Sequence, residues 1–420
     1  MLSMKIKSFS ITSCFCLLIT VVNVVNGQGN NLTGSPYSLF GLGVDSNANT
    51  GRNSGMGQTG ISLNSLTNIN QYNPSAFASI EANRFVLDIG TYSELQNISS
   101  NDSDERRFVS NFSSVALGFN GNGKYGIGLI LKPATDVGYA LIGIRSNIEG
   151  STEEFVTNVI GSGGINEIRL DYSRKISDNL NLGAKFSYLF GGIDEVESIL
   201  TSNSALTISE ENYYRGYKLG LGLNYNFLDN YNFGLILDFP VNLDGSRNSI
   251  TIKNSNEAVS ILDDITNESI DDFQLPLKLG FGFSRTLENL ELAIDYTTNL
   301  WTATDQSDTI GDYVNQHIFG FGAQYTVNPR SLKYWKRIHF RAGINYNSGY
   351  LEVDDVNIDN YGASIGLGLP LGRKGGSYLN FSYSRGNRGS TDSILVEERF
   401  NTINFNISLS DIWFQKRKYN

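Results

Sequence analysis

From about residue 84 to about residue 410, apolar and polar side chains alternate with a period of two, in runs separated by polar segments that are alternately short and long. Leu180, Leu182, Ala184, Phe186, Tyr188 and Phe190 fall on one face of such a run, with Asn181, Gly183, Lys185 and Ser187 on the other. Tyr217, Leu219, Leu221, Leu223, Tyr225 and Phe227 repeat the division against Lys218, Gly220, Gly222, Asn224 and Asn226. Leu275, Leu277, Leu279, Phe281 and Phe283 form another such face, and Leu290, Leu292, Ile294 and Tyr296 a fourth. Successive side chains of a strand point to opposite faces, so these runs predict strands with one apolar and one polar surface.

Runs of about ten residues are long for a soluble sandwich and match tilted strands that cross a bilayer. No apolar run after residue 27 is long enough for a membrane-spanning helix. Phe190, Phe227, Phe239, Tyr296 with Trp301, and Tyr325 stand at strand ends, where barrels carry aromatic girdles. The predicted fold class is all-β: a transmembrane antiparallel β-barrel of about 14 strands over residues 83–410.

The connections set its orientation. Segments 120–123, 177–179, 228–230, 286–289, 328–336 and 371–376 are short and read as periplasmic turns. Segments 94–106, 147–164, 193–212, 241–273, 301–312, 349–359 and 387–399 read as long extracellular loops, and an even strand count puts both termini in the periplasm. That count takes 124–145 as one long third strand containing Pro133. Proline cannot donate to a ladder, so Pro133 marks either a break in that strand or a hairpin that would make the count odd.

Residues 28–82 do not alternate. They carry Ser35-Pro36-Tyr37-Ser38, Phe40-Gly41-Leu42-Gly43, Gly55-Met56-Gly57-Gln58-Thr59-Gly60 and Asn73-Pro74-Ser75-Ala76. Glycine at this density lets a backbone turn tightly beside other groups, while Tyr37, Phe40, Met56, Leu63, Ile69 and Tyr72 can anchor it, so the segment is predicted to be a plug in the barrel lumen.

These motifs resemble those of the FadL/TodX-type outer-membrane transport proteins, particularly their Bacteroidetes relatives, as does the ending Asp411-Ile412-Trp413-Phe414-Gln415-Lys416-Arg417-Lys418. The resemblance covers nearly the whole chain. It implies a hatch containing Gly55, Gly57, Gly60, Asn73, Pro74 and Ala76, with Ser75 inserted into the family's Asn-Pro-Ala element. It also implies a kinked third strand that opens the wall, here at Pro133, and uptake of small hydrophobic compounds released sideways. Some Bacteroidetes relatives serve instead as subunits of secretion machinery, so a partner subunit of an outer-membrane secretion or assembly complex is the alternative. An apolar lumen pocket would favour transport. A filled lumen with apolar surface on the long connections would favour protein partners.

Composition narrows the chemistry. Lys5 and Lys7 followed by the apolar stretch from Cys14 to Val25 read as a signal peptide, residues 1–27, whose removal takes both cysteines. Residues 411–420 read as a basic periplasmic tail. A formal charge of -10 argues against a nucleic-acid partner. The acid concentrates in two connections, Asp194, Glu195, Glu197, Glu210 and Glu211 in one and Asp263, Asp264, Glu268, Asp271 and Asp272 in the other, which read as solvated loops beside lipopolysaccharide. Arg169, Lys185, Lys218, Lys278, Glu291, Asp295, His339 and Arg341 fall on lumen-facing positions and predict a polar lattice that braces wall and plug. Neither His317 nor His339 sits in a nucleophile or metal motif, so no enzymatic activity, metal or cofactor is expected.

Overall fold

A computed structural model describes residues 33–412, apart from 47–50, 101–102, 148–153, 202, 229, 256–257, 309, 373–375 and 393–394. The expected signal peptide, residues 1–27, and most of the expected basic tail lie outside the described residues.

The chain forms a closed antiparallel barrel of 14 strands. In order these are β1 (Arg84–Ser99), β2 (Asp104–Gly121), β3 (Tyr125–Pro133 and Thr135–Asn147), β4 (Glu154–Lys175), β5 (Leu180–Leu200), β6 (Ser204–Phe227) and β7 (Tyr231–Asp238 and Val241–Ser255). There follow β8 (Val259–Leu275 and Lys278–Leu287), β9 (Leu290–Asn299), β10 (Gln316–Thr326), β11 (His339–Asn347), β12 (Asn360–Leu371), β13 (Ser377–Arg388) and β14 (Glu397–Ile412). Each strand pairs with its sequence neighbour, and β1 closes on β14 from Arg84↔Ile412 to Ser99↔Glu397, so the ladder satisfies the wall's backbone groups without water. Leu182, Phe186, Leu219, Leu221 and Ile294 are exposed on the outside, while Lys185, Ser187, Asn224 and Asp295 are buried inside.

Three strands are broken near proline, at Ala134, at Phe239–Pro240 and at Pro276–Leu277. Pro133 ends the lower part of β3, still paired to Asn166 of β4, and the strand resumes at Thr135 on the same neighbour, so it marks a break and not a hairpin. The pairing of β2 with β3 stops at Val115↔Leu131, and above that level, among the described residues, β2 has β1 as its one ladder partner, while the Asn111 side chain reaches Asp136 of β3 at 3.5 Å. A gap therefore opens in the wall between β2 and the upper part of β3. The break at Pro276 also turns Leu275 inward against Leu243, contrary to the outward face expected for it.

Most of the long connections are not loops. Strands β4, β5 and β6 run on without interruption into them, and 241–273 is a hairpin paired from Val241↔Leu275 to Asn254↔Val259. Together with the upper part of β3 they form a crown standing on one side of the barrel. The acidic residues occupy strand positions there, and Arg247 bridges Glu268 at 2.7 Å and Glu210 at 3.4 Å.

Because the outward face contacts lipid, charge placed on it should be costly according to depth. Leu221→Arg, at mid-wall, is expected to destabilise the barrel by about 2–4 kcal/mol, and Leu228→Arg, in a short turn, by about 0–1 kcal/mol. Urea titration followed by the heat-modifiable gel mobility of the barrel measures both, and equal losses would refute the face assignment.

Candidate functional site

Within the lumen the irregular N-terminal segment meets the wall over much of its described length. An irregular backbone in an enclosed space leaves amides and carbonyls that need partners, and the wall and the segment's own side chains supply them. The Asp295 carboxylate of β9 accepts from the Gly60 amide at 2.5 Å and the Ile61 amide at 2.8 Å. Asn73, fully buried, donates to the carbonyls of Ile61 (2.8 Å) and Leu223 (2.9 Å) and caps the short helix Pro74–Ser79 by accepting from the Ser75 amide. The Ser75 hydroxyl also donates to Asn73 Oδ1 at 2.7 Å, so the inserted serine reinforces the cap.

Glycine in the wall makes room for this. A Cβ on Gly343 would lie 2.1 Å from the Gly57 amide nitrogen, and one on Gly222 would lie 2.1 Å from Asn73 Oδ1. Gly57 itself has φ +61°, a conformation other residues adopt only at a cost. Gly55 packs on Gly366 of β12, Pro74 sits against Gly222 of β6 and Gly183 of β5, and Ala76 is buried.

The inward-facing ions meet one another and the plug. Arg169 donates to Asp171 at 3.0 Å and to the Gln71 carbonyl at 2.8 Å, and Lys185 contacts Asp238 at 2.7 Å. Lys132 and Lys218 flank Glu167 at 3.7 and 3.8 Å, Lys278 lines the adjoining cavity, and Arg52 of the plug pairs with Glu291. Arg341 donates to Gln324 and Asn380, and His339 contacts the Thr326 hydroxyl and meets the Tyr378 ring at 5.0 Å in a tilted arrangement. This is an arrangement that holds elements together. Among the described residues it leaves no continuous apolar path along the axis: a cavity of about 290 Å³ is lined by Leu42, Leu189 and Leu243 together with Lys132, Glu167 and Asp238 of the lattice.

Two adjoining seals that the sequence reading missed close this path, and Val44 belongs to both. At the long-hairpin end, segments 301–313 and 350–358 fold over the barrel as a four-stranded lid. Trp301 stacks on Tyr350 at 4.7 Å and meets Tyr313 at 5.5 Å, with Tyr37, Phe40, Leu351 and Leu395 in the same cluster. Trp301 is thus part of the lid and not of an outer aromatic girdle. Burial pushes the Tyr37 phenol up to about 12, so it stays neutral and donates to the Val396 carbonyl at 2.7 Å. At the wall gap, Val44–Asp45 pairs with Thr135 and Asp136 on the free edge of β3, and the Ser38 hydroxyl accepts from the Gly138 amide at 3.0 Å. The residues around Pro133 therefore border a gap occupied by the chain's own N-terminal segment.

The family model described as BamG matches residues 5–420. No protein in the curated collection matches the chain. Among solved structures, the chain resembles the CymD monoaromatic hydrocarbon channel at 16% identity, covering 88% of this chain and 98% of that one with a TM-score of 0.58. A Pseudomonas aeruginosa FadL homologue matches at 14% identity, with 88% and 99% covered and a TM-score of 0.58. The Pseudomonas putida toluene transporter TodX matches at 15% identity with the same coverage and TM-score. At these identities the likeness establishes the FadL-like barrel fold.

If the plug is seated by these contacts, Gly343→Val should leave the barrel assembled but unseat it, so that trypsin cleaves at the buried Arg52. Asp295→Ala, which strands two amides, should cost about 1–3 kcal/mol and give partial cleavage. Protection at Arg52 equal to the parent's in both variants would show that the plug is held elsewhere.

Proposed function

Since the chain belongs to the BamG family, we propose that it is a barrel subunit of an outer-membrane β-barrel assembly complex, a platform for Bam-type protein partners in place of a conduit. The observation that carries this reading is the filled lumen: plug, ion lattice and aromatic lid occupy in turn the path a hydrophobic compound would take. Buried charges in such a lattice are costly to disrupt, which suits a rigid support better than a passage.

The crown supports the same reading. The long hairpins point to the cell exterior and the short turns to the periplasm. Ile142, Ile160, Val259, Ile261 and Leu262 are exposed at 63, 44, 68, 62 and 57% on strands that rise beyond the barrel. Among the described residues, the Val259–Leu275 part of β8 forms a ladder with β7 only, and near its base the Gln306 side chain takes the Gln274 amide and carbonyl at 2.8 Å each. Apolar side chains beside an unpaired edge suit contact with protein.

Uptake of hydrophobic compounds with sideways release is the second reading, and the wall gap above Leu131 favours it. It requires the segment around Val44–Asp45 to leave the edge of β3. No covalent chemistry enters either reading, and neither this fold nor this family is known for enzymes.

Purification from detergent-solubilised outer membranes under gentle conditions separates the two. The expected result is stoichiometric recovery of barrel-assembly proteins, together with closed behaviour of the purified barrel in planar bilayers and conductance after deletion of residues 33–76. A barrel recovered alone, in cells whose hydrophobic-compound uptake falls on Pro133→Val substitution, would overturn the platform reading in favour of transport.

A further inference from the structure

The connection between β10 and β11 differs from the other short turns. The closed turn spans 328–336, bridged by the Asn328 amide donating to the Lys336 carbonyl at 2.7 Å, and a short helix, Tyr334–Arg337, leads into β11. The bend is fixed internally, with the Arg330 amide on Asn328 Oδ1 at 3.0 Å and the Lys333 amide on Ser331 Oγ at 3.2 Å. Arg337 donates to the Gly372 carbonyl of the neighbouring turn at 2.7 Å, and Asn289 of the other neighbour donates to the Val327 carbonyl at 3.1 Å. This is a preformed surface.

Its side chains are of two kinds. Leu332, Tyr334 and Trp335 are exposed at 81, 48 and 55%, and Leu332 is the most exposed large apolar residue among those described. Arg330, Lys333, Lys336 and Arg337 accompany them, and the sequence contains no acid between Asp312 and Glu352. Lys336 lies 5.5 Å from the Trp335 ring and Arg337 5.4 Å from the Tyr334 ring, so two of the cations are carried on the aromatic surface itself. The adjacent turn contributes one acid, Glu288.

The turn is continuous with the lipid-facing wall. Tyr325 and Phe340 pair across β10 and β11 immediately inside it, each 44% exposed on the outer surface, and Leu371 lies outward on β12. Apolar and aromatic residues that extend such a belt, with cations at their outer edge, match the chemistry of a membrane interface in which acyl chains meet phosphate. We propose that this turn is a binding surface for acidic phospholipid headgroups in the membrane leaflet at the short-turn end of the barrel. Leu332 and Trp335 enter the acyl boundary, and Arg330, Lys333 and Lys336 hold the phosphates. The inference rests on the barrel spanning a membrane and is independent of the assembly role.

Tryptophan quenching tests it in the full-length barrel reconstituted in nanodiscs. The difference in emission between the parent and Trp335→Phe isolates this one indole from Trp301 and Trp413. Brominated phosphatidylglycerol is expected to quench that difference more strongly than the same fraction of brominated phosphatidylcholine. The triple substitution Arg330→Gln, Lys333→Gln, Lys336→Gln should abolish the preference while the heat-modifiable gel mobility stays that of the parent. Absence of quenching by either lipid would overturn the proposal and mark the turn as a water-exposed face for an acidic protein. Equal quenching by the two lipids would also overturn it, since the turn would then insert without recognising the headgroup.

Discussion

A closed barrel can satisfy every backbone group of its wall, but it makes no such provision for an irregular chain enclosed within it. Here that demand falls on a few side chains. The Asp295 carboxylate takes two consecutive plug amides, and the Asn73 carboxamide bridges a plug carbonyl and a wall carbonyl while capping the next short helix. Glycine in the wall is the second half of the same arrangement, since Gly343 and Gly222 admit the plug at distances a Cβ would forbid. Without this accommodation the lattice ions would face open space, and Arg52 and Glu291 could not meet.

That arrangement bears on the proposed function through what fills the lumen. A conduit for apolar molecules needs a continuous apolar surface, whereas this lumen alternates buried ion pairs with backbone contacts and ends in an aromatic lid. The fold shared with hydrocarbon channels is compatible with either use, because the wall ladder is the same whether the lumen is open or filled. The differences lie in the contents of the barrel and in the strands that extend beyond it.

The wall was legible in the sequence because period-two alternation is local: the divided faces around Leu182 and Leu221 need no knowledge of distant residues. Pro133 was legible as a discontinuity for the same reason, since the missing donor belongs to the residue itself. The hairpins were not, because strands above a bilayer have no lipid face to enforce alternation, and β8 between Val259 and Leu275 reads as an acidic polar stretch. The lid escaped for a different reason. Trp301, Tyr313 and Tyr350 come from two separate connections and meet Tyr37 and Phe40 from the N-terminal segment, and nothing local distinguishes a tryptophan that turns inward from one at a strand end. Within the plug, the residue types pointed to close packing, but which of them meet Asp295 or Gly343 depends on the closed ladder.

The uninterrupted passage of β4, β5 and β6 from barrel into crown has a mechanical meaning. Ladders of hydrogen bonds are stiff along the sheet, so the crown and this side of the wall form one lever with its fulcrum in the bilayer. The lever is bounded on one side by a seam, the gap beside β3, where cross-strand bonds are replaced by two residues of the N-terminal segment. A displacement of the crown relative to the rest of the wall would fall on this two-residue pairing before it reached the continuous ladders.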